Sequence, residues 1–327
     1  MNAFPTRRAV LGALASTSFA GLGGTSALAS ERAGRVLRMI VPQAPGGAAD
    51  FMARMLVDNL ARSLGRPVMV DNRPGGGTVV GTQAVAMAAP DGNTFGMVLS
   101  PHAINQAMRQ HMPYDALNDF ESLCLGGHSI VALVAHPSFA ADSVEQLIDL
   151  ARRTDPPLQY ASLGVGSVSH LAGELFAIEA DVALAHVPYN GSVQVYRGLV
   201  SRDLALAFVT LESALPHLRD RRLKVLGVTD AQRAARYPQI PAIAETLPGF
   251  ELVGFFGFVA PARTPPKVVS TLSAELTRTL QAPKIRARFA DDGVVISVAP
   301  PKAFDAFLRQ QVDKYAALAK RTGIRLD

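Results

Sequence analysis

The sequence is poor in the residues that staple or metallate a fold. It has a single Cys, which excludes an intramolecular disulfide framework and any cysteine-cluster metal site. That residue, Cys124, lies in an apolar run and reads as a small core side chain. Trp is absent, and charged residues make up only 18% of the chain. There is no long basic run. The 32 basic and 27 acidic residues are interspersed, so the formal charge of +5 is at most a mild bias toward anions and points to no nucleic-acid partner. No Gly-x-x-x-x-Gly-Lys-[Ser/Thr] occurs, which excludes a P-loop, and Gly164-Val165-Gly166 lacks the third glycine of a dinucleotide fingerprint at Ser169. The Gly-x-Ser-x-Gly spacing of a serine-hydrolase elbow is also missing. The seven His residues have no metal-ligand spacing, so no metal and no cofactor is expected. A membrane span needs ~20 predominantly apolar residues, and no segment supplies them.

The chain does have length and apolar content: 327 residues, 49% hydrophobic, enough for roughly two domains of ~150 residues and too apolar for a disordered chain. Residues 1–29 read as an export signal. Arg7 and Arg8 form a twin arginine, a stretch diluted by Gly, Ser and Thr follows, and Ala27-Leu28-Ala29 has the form of a signal-peptidase site. Cleavage near Ala29 leaves 30 basic against 27 acidic residues in an exported, periplasmic protein.

Beyond residue 36, short apolar runs alternate with amphipathic stretches, the pattern of an α/β protein. Strands are expected at 37–41, 67–70, 94–99, 130–135, 158–161, 184–187, 204–209, 223–228 and 255–259. The first helix carries Met52, Leu56, Leu60 and Leu64 at a four-residue repeat and ends at Gly65. Ser143 to Gln146 reads as a capping box. Thr264-Pro265 reads as an N-cap with Pro at the first helical position. A last helix is expected over about 301–320, and His136-Pro137 is a plausible point for the chain to cross between two lobes.

Two glycine-rich strand-to-helix turns carry the chemistry. Pro45-Gly46-Gly47-Ala48-Ala49-Asp50 precedes an amphipathic helix, and small residues there let a ligand approach backbone N–H groups that the helix leaves unpaired. The second, Ser162 to His170, offers Ser162, Ser167 and Ser169, Gly164 and Gly166, and His170, with no Lys or Arg. Hydroxyls and amides without a cation suit a carboxylate better than a triphosphate. A helix N-terminus favours an anion by ~0.3–1 kcal/mol when exposed and up to ~2 when partly buried. Each turn is also fully explained as a capped helix start. The anion site gains force from the pair, one in each lobe, with Asn72 to Gly77 as a third loop of the same kind.

Taken in order, a set of stretches resembles the Bug-type (TctC-like) substrate-binding proteins of tripartite tricarboxylate transporters. They are Ile40-Val41-Pro42, Pro45 to Asp50, Val70-Asp71-Asn72-Arg73-Pro74-Gly75, Ala89-Pro90-Asp91-Gly92 and Pro113-Tyr114-Asp115. Further on come Ser169-His170-Leu171-Ala172-Gly173-Glu174, His186-Val187-Pro188-Tyr189, Ser213-Ala214-Leu215-Pro216-His217 and Leu247-Pro248-Gly249-Phe250. The resemblance implies a two-lobed periplasmic-binding-protein fold, type II-like, with a hinge between the lobes. Lobe 1 would be 31–136 plus 251–327, and lobe 2 would be 137–250. It also implies a site built from Gln43, Gly46, Gly47, Ala49, Asp50, Asn72, Ser100, Ser162, Gly164, Gly166, Ser167, Ser169, His170, Tyr189, Asn190 and Thr210. The first loop would hold a carboxylate through backbone amides and ordered waters.

Gln43, Asn190 and Thr210 depart from the family pattern, and the lost charges imply a less charged distal end of the ligand. The protein is therefore expected to be a non-catalytic, monomeric receptor for a small organic carboxylate, docking on membrane permease subunits or on a sensor's periplasmic domain. The competing readings are an exported serine hydrolase using Ser167 or Ser169 with His170, and a ligand-sensing adaptor for a membrane sensor.

Overall fold

The computed structural model describes residues 35–326 with the exception of Asn190, so the export-signal reading and Asn190 lie outside the described residues. In chain order the strands are β1 Leu37–Val41, β2 Val68–Asn72, β3 Thr94–Leu99, β4 Phe120–Ser129, β5 Val131–Ala135, β6 Leu158–Ser162, β7 Leu184–Pro188, β8 Leu206–Thr210, β9 Lys224–Val228, β10 Gly254–Pro261 and β11 Val294–Ala299. The helices are α1 Ala48–Leu64, α2 Val79–Ala86, α3 Pro101–Met108, α4 Val144–Arg153, α5 Val168–Ala180, α6 Ser192–Ser201, α7 Leu211–Arg219, α8 Pro266–Gln281, α9 Pro283–Asp291 and α10 Pro301–Thr322. None is long and apolar enough to cross a membrane.

The strands form two mixed sheets, ordered β11-β4-β10-β3-β1-β2 and β7-β6-β8-β5-β9. In the first, β2, β1 and β3 are parallel, β10 is antiparallel to β3, and β4 is antiparallel to β10. In the second, β7, β6 and β8 are parallel, β5 is antiparallel to β8, and β9 is antiparallel to β5. Both lobes thus share one topology, in which the antiparallel strand is the one arriving from the other lobe. The turns β1–α1 and β6–α5 are topological equivalents, and so are β3–α3 and β8–α7. All four lie at the carboxyl ends of parallel strands, where open α/β sheets bind ligands.

The helical periodicity holds where it is strongest. Met52, Leu56 and Leu60 of α1 are buried, and Gly65 closes the helix at φ +62°, a left-handed position that a Cβ disfavours. Ser143 Oγ accepts the Gln146 N–H at 3.2 Å, but the Gln146 side chain reaches one residue further back, to the Asp142 N–H at 2.8 Å. Thr264 is not the N-cap of α8. A second proline at 266 holds Pro265 extended at ψ 136°, so the helix begins one residue later, and Thr264 Oγ1 instead donates to the Pro261 carbonyl at 2.7 Å.

The crossing point also differs. Val131–Ala135, expected in lobe 1, hydrogen-bonds to β8 and β9 of the second sheet, so the chain changes sheets at Ile130 rather than at His136-Pro137. The sequence hides that change because β5 is uniformly apolar and buried and follows β4 after the single residue Ile130, so nothing in its own composition says which sheet it joins. The two crossings lie side by side. The Thr229 N–H donates to Val131 O and the Leu252 N–H to Thr229 O, both at 2.9 Å. Thr229 Oγ1 donates to Leu252 O at 2.6 Å.

Candidate functional site

The four equivalent turns meet on one cavity of about 550 Å³ between the two sheets. Of the expected residues, Gln43, Ala49, Ser100, Gly166, Ser167, Ser169 and Thr210 line it. Gly46, Gly47, Asp50, Asn72, Ser162, Gly164, His170 and Tyr189 do not line it, and their bonds show what they do.

In the first loop Gly46 takes φ +80°, and its N–H donates to Asp50 Oδ2 at 2.9 Å. Gly47 is the N-cap of α1 and donates its N–H to the Ala44 carbonyl. Asp50 is buried and also accepts from Arg54 Nε at 2.9 Å and Asn72 Nδ2 at 3.0 Å. Arg54 foremost, with the Gly46 and Asn72 donors, outweighs the cost of burial and lowers the Asp50 pKa to about 2. Asn72 Nδ2 also donates to the Gln43 carbonyl at 3.0 Å. Asp50 and Asn72 therefore hold the loop from beneath. Gln43 Oε1 accepts the Ala49 N–H at 3.1 Å, capping the helix end that faces the cavity.

The second loop is built the same way. Ser167 is the N-cap of α5: its Oγ accepts the His170 N–H at 3.2 Å and donates to the Gly164 carbonyl at 2.6 Å. Ser169 Oγ accepts the Leu163 N–H at 3.1 Å. His170 Nδ1 accepts the Gly166 N–H at 3.2 Å, and its ring stacks on His186 with centroids 3.9 Å apart. Burial lowers the pKa of both imidazoles to about 4, so both are neutral near pH 7. Ser162 is fully buried, with Oγ 2.7 Å from His186 Nε2 and accepting the Gly164 N–H at 3.1 Å. Tyr189 ties the end of β7 to β6 through its N–H to the Ser162 carbonyl at 3.1 Å.

These bonds leave no hydrolase geometry. In this loop the Ser167 hydroxyl is spent on capping, Ser169 Oγ is engaged by the Leu163 N–H and Ser167 Oγ, His170 Nδ1 is occupied by a backbone donor, and the serine that meets an imidazole here, Ser162, is fully buried. Among the described residues, no cluster of three or more His, Cys, Asp or Glu side chains could hold a metal ion.

Between the loops, Ser100 Oγ accepts the Phe255 N–H at 2.7 Å, joining the start of α3 to β10. Thr210 Oγ1 lies 3.0 Å from Ser213 Oγ in the first turn of α7. The sequence reading missed Thr78, Arg109 and Glu212, which also line the cavity. Arg109 Nε donates to Asn105 Oδ1 at 3.0 Å, so the wall does carry a cation. Glu212 is an acid in the first turn of a helix, a pattern any exposed helix start shares, and nothing local singles it out.

A model of the tripartite tricarboxylate transporter family receptor matches residues 52–324. BugT of Bordetella pertussis is 32% identical over 295 residues, covering 89% of this chain and 90% of its own. An R. palustris protein solved with adipate superposes with a TM-score of 0.82 at 28% identity, over 89% of this chain and 98% of its own. The periplasmic binding protein BugD does so with a TM-score of 0.79, also at 28% identity, over 89% and 98%.

Proposed function

The chain belongs to the tripartite tricarboxylate transporter receptor family, and from that premise we propose that it is a periplasmic receptor that captures a small organic carboxylate and hands it to membrane permease subunits without transforming it. The observation that carries this reading is the convergence of four equivalent strand-to-helix turns on one cavity. The partial positive charge at their helix starts suits a carboxylate, and the R. palustris relative was solved with one, adipate.

Gln43, Ala49, Ser100, Gly166, Ser167, Ser169 and Thr210 are proposed to touch the ligand. Gly46, Gly47, Asp50, Asn72, Ser162, Gly164, His170 and Tyr189 are proposed to hold those groups in place. The family resemblance adds Asn190. The lobes are taken as residues 36–129 with 254–326, and residues 131–253, hinged at Ile130 and at Thr229 to Leu252. Ligand contacts to both lobes favour the closed arrangement, and only that differential affinity shifts the population. The receptor is taken to act as a monomer, with its export signal removed near Ala29.

A thermal-shift screen of mono-, di- and aromatic carboxylates, followed by calorimetry, tests the reading. At least one acid is expected to raise the melting temperature and bind with one-to-one stoichiometry. A screen in which no carboxylate binds would overturn it.

A further inference from the structure

Glu212 is the second residue of α7 and lines the cavity, yet its Oε2 is buried and has no hydrogen-bond partner. The neighbouring Thr210 hydroxyl is engaged with Ser213. The first lobe packs against this residue: a Cβ on Gly293, in the α9–β11 turn, would lie 3.1 Å from the Glu212 backbone nitrogen. Burial first, then the charge of Asp292, raises the Glu212 pKa to about 7 against a lowering contribution from Thr210. Several charged groups on the elements packed around it are paired, among them His128 with Asp230 at 3.2 Å. Asp292 is paired with Arg288 at 3.1 Å, and Asp291 is paired with Arg236 across the lobes. The Tyr196 hydroxyl on α6 meets Ser213 Oγ, and Arg109 stands on the first-lobe wall of the same cavity.

A buried carboxyl oxygen with no donor resists ionisation. On the carboxylate-receptor reading the rest of the cleft takes an anion, and Arg109 stands on its wall, so the second polar end of a ligand drawn into it is taken as a carboxylate and not an ammonium, in place of the less charged distal end that the sequence departures implied. A carboxylate beside Glu212 makes ionisation harder still, and the pair is stable only when it shares a proton, as in a short O–H···O⁻ bond. We propose that Glu212 receives the far carboxylate of a dicarboxylate as a neutral, proton-donating carboxyl, so that each ligand captured carries one proton into the closed cleft. This rests on the carboxylate-receptor reading. Opening the lobes would re-expose Glu212, restore its ordinary acidity, and expel proton and ligand together. The sign follows from linkage. A pKa raised in the closed state favours closure below it, and the advantage is lost as pH rises through about 7.

The test is calorimetry of the mature receptor with succinate, glutarate and adipate between pH 6 and pH 9, in two buffers of different ionisation enthalpy. The ligands' own carboxyls, which titrate at about pH 4–5 in water, stay ionised throughout. Because the bound carboxylate raises the Glu212 pKa beyond its unliganded value, affinity for the best acid is expected to fall with rising pH across this range, by up to about tenfold per unit, with uptake approaching one proton per ligand. Glu212→Gln, which keeps a neutral donor, should bind within a few-fold of the wild-type affinity at pH 6 and show no pH slope. A flat wild-type profile, an affinity that rises with pH, or a slope retained in Glu212→Gln would overturn the proposal. The wild-type profile decides alone if that variant does not fold. If only monocarboxylates bind, the proposal falls and the receptor reading stands; if no carboxylate binds at any pH, both fall.

Discussion

Gly166 shows how far a single residue's conformation can matter. It sits at φ +74° in the cavity wall, and a Cβ there would lie 2.6 Å from Leu326 Cδ1, at the far end of the chain. Left-handed backbone costs an L-residue about 1–2 kcal/mol, so Gly166→Ala should lower the melting temperature and, by displacing the loop, weaken ligand binding about tenfold in calorimetry. His170 predicts an acid limb. Its pKa is about 4 in the fold, below the ordinary value of about 6.5. The unfolded chain therefore binds the extra proton first, and stability drops as pH falls from about 6.5 to about 4. His170→Gln, which can still accept the Gly166 N–H, should make that limb shallower in melts recorded across the same range, the remainder coming from His102 and His186, which are lowered to about 4 as well. The glycines and serines of both loops were legible in the sequence because few residue types tolerate such turns. Whether a residue faces the ligand or stands behind it was not legible. That depends on bonds such as Asn72 to Gln43 across 29 positions, which no local pattern encodes.

Helix starts are the elements on which the site depends. Removing the N-cap with Ser167→Ala should cost about 0.5–2 kcal/mol by chemical denaturation and loosen the amides of α5 that face the cavity. If the variant binds ligand as tightly as wild type, the start of α5 is not part of the grip. Strands and helices with one strongly apolar face were readable, α1 above all. Less readable were β11, an edge strand with alternating exposure, and α9, a short helix whose core contribution is Ile285 and Phe289. The double proline at 265–266 moved a helix start by one residue, because the second ring restricts the residue before it.

Across the whole molecule, the contacts between lobes include Gly293 against Glu212, Leu326 against Gly166, a shared apolar cluster of α5 and α10 side chains, and the ion pairs of Arg236 with Asp291 and of Arg321 with Glu179, the latter at 2.8 Å. Exposed pairs of this kind contribute about 0–1 kcal/mol, so they can be broken and remade as the lobes part. Small-angle scattering should accordingly give a smaller radius of gyration with saturating ligand than without, and Arg321→Ala should widen the unliganded form with little loss of stability. A two-lobed architecture was legible through the resemblance of ordered motifs. The true crossing at Ile130 was not, since it is decided by which strands β5 pairs with and not by its own composition.

Strand order has a further consequence during synthesis. All five strands of the second sheet lie between Val131 and Val228, so that half can finish as soon as it emerges from the ribosome. The first sheet is split instead: β10 separates β3 from β4, and its residues come more than a hundred positions after either. A chain that stops short of Gly254 would carry one complete half beside another with a missing centre, one side of β3 and both sides of β4 left raw and open to pairing with a stranger.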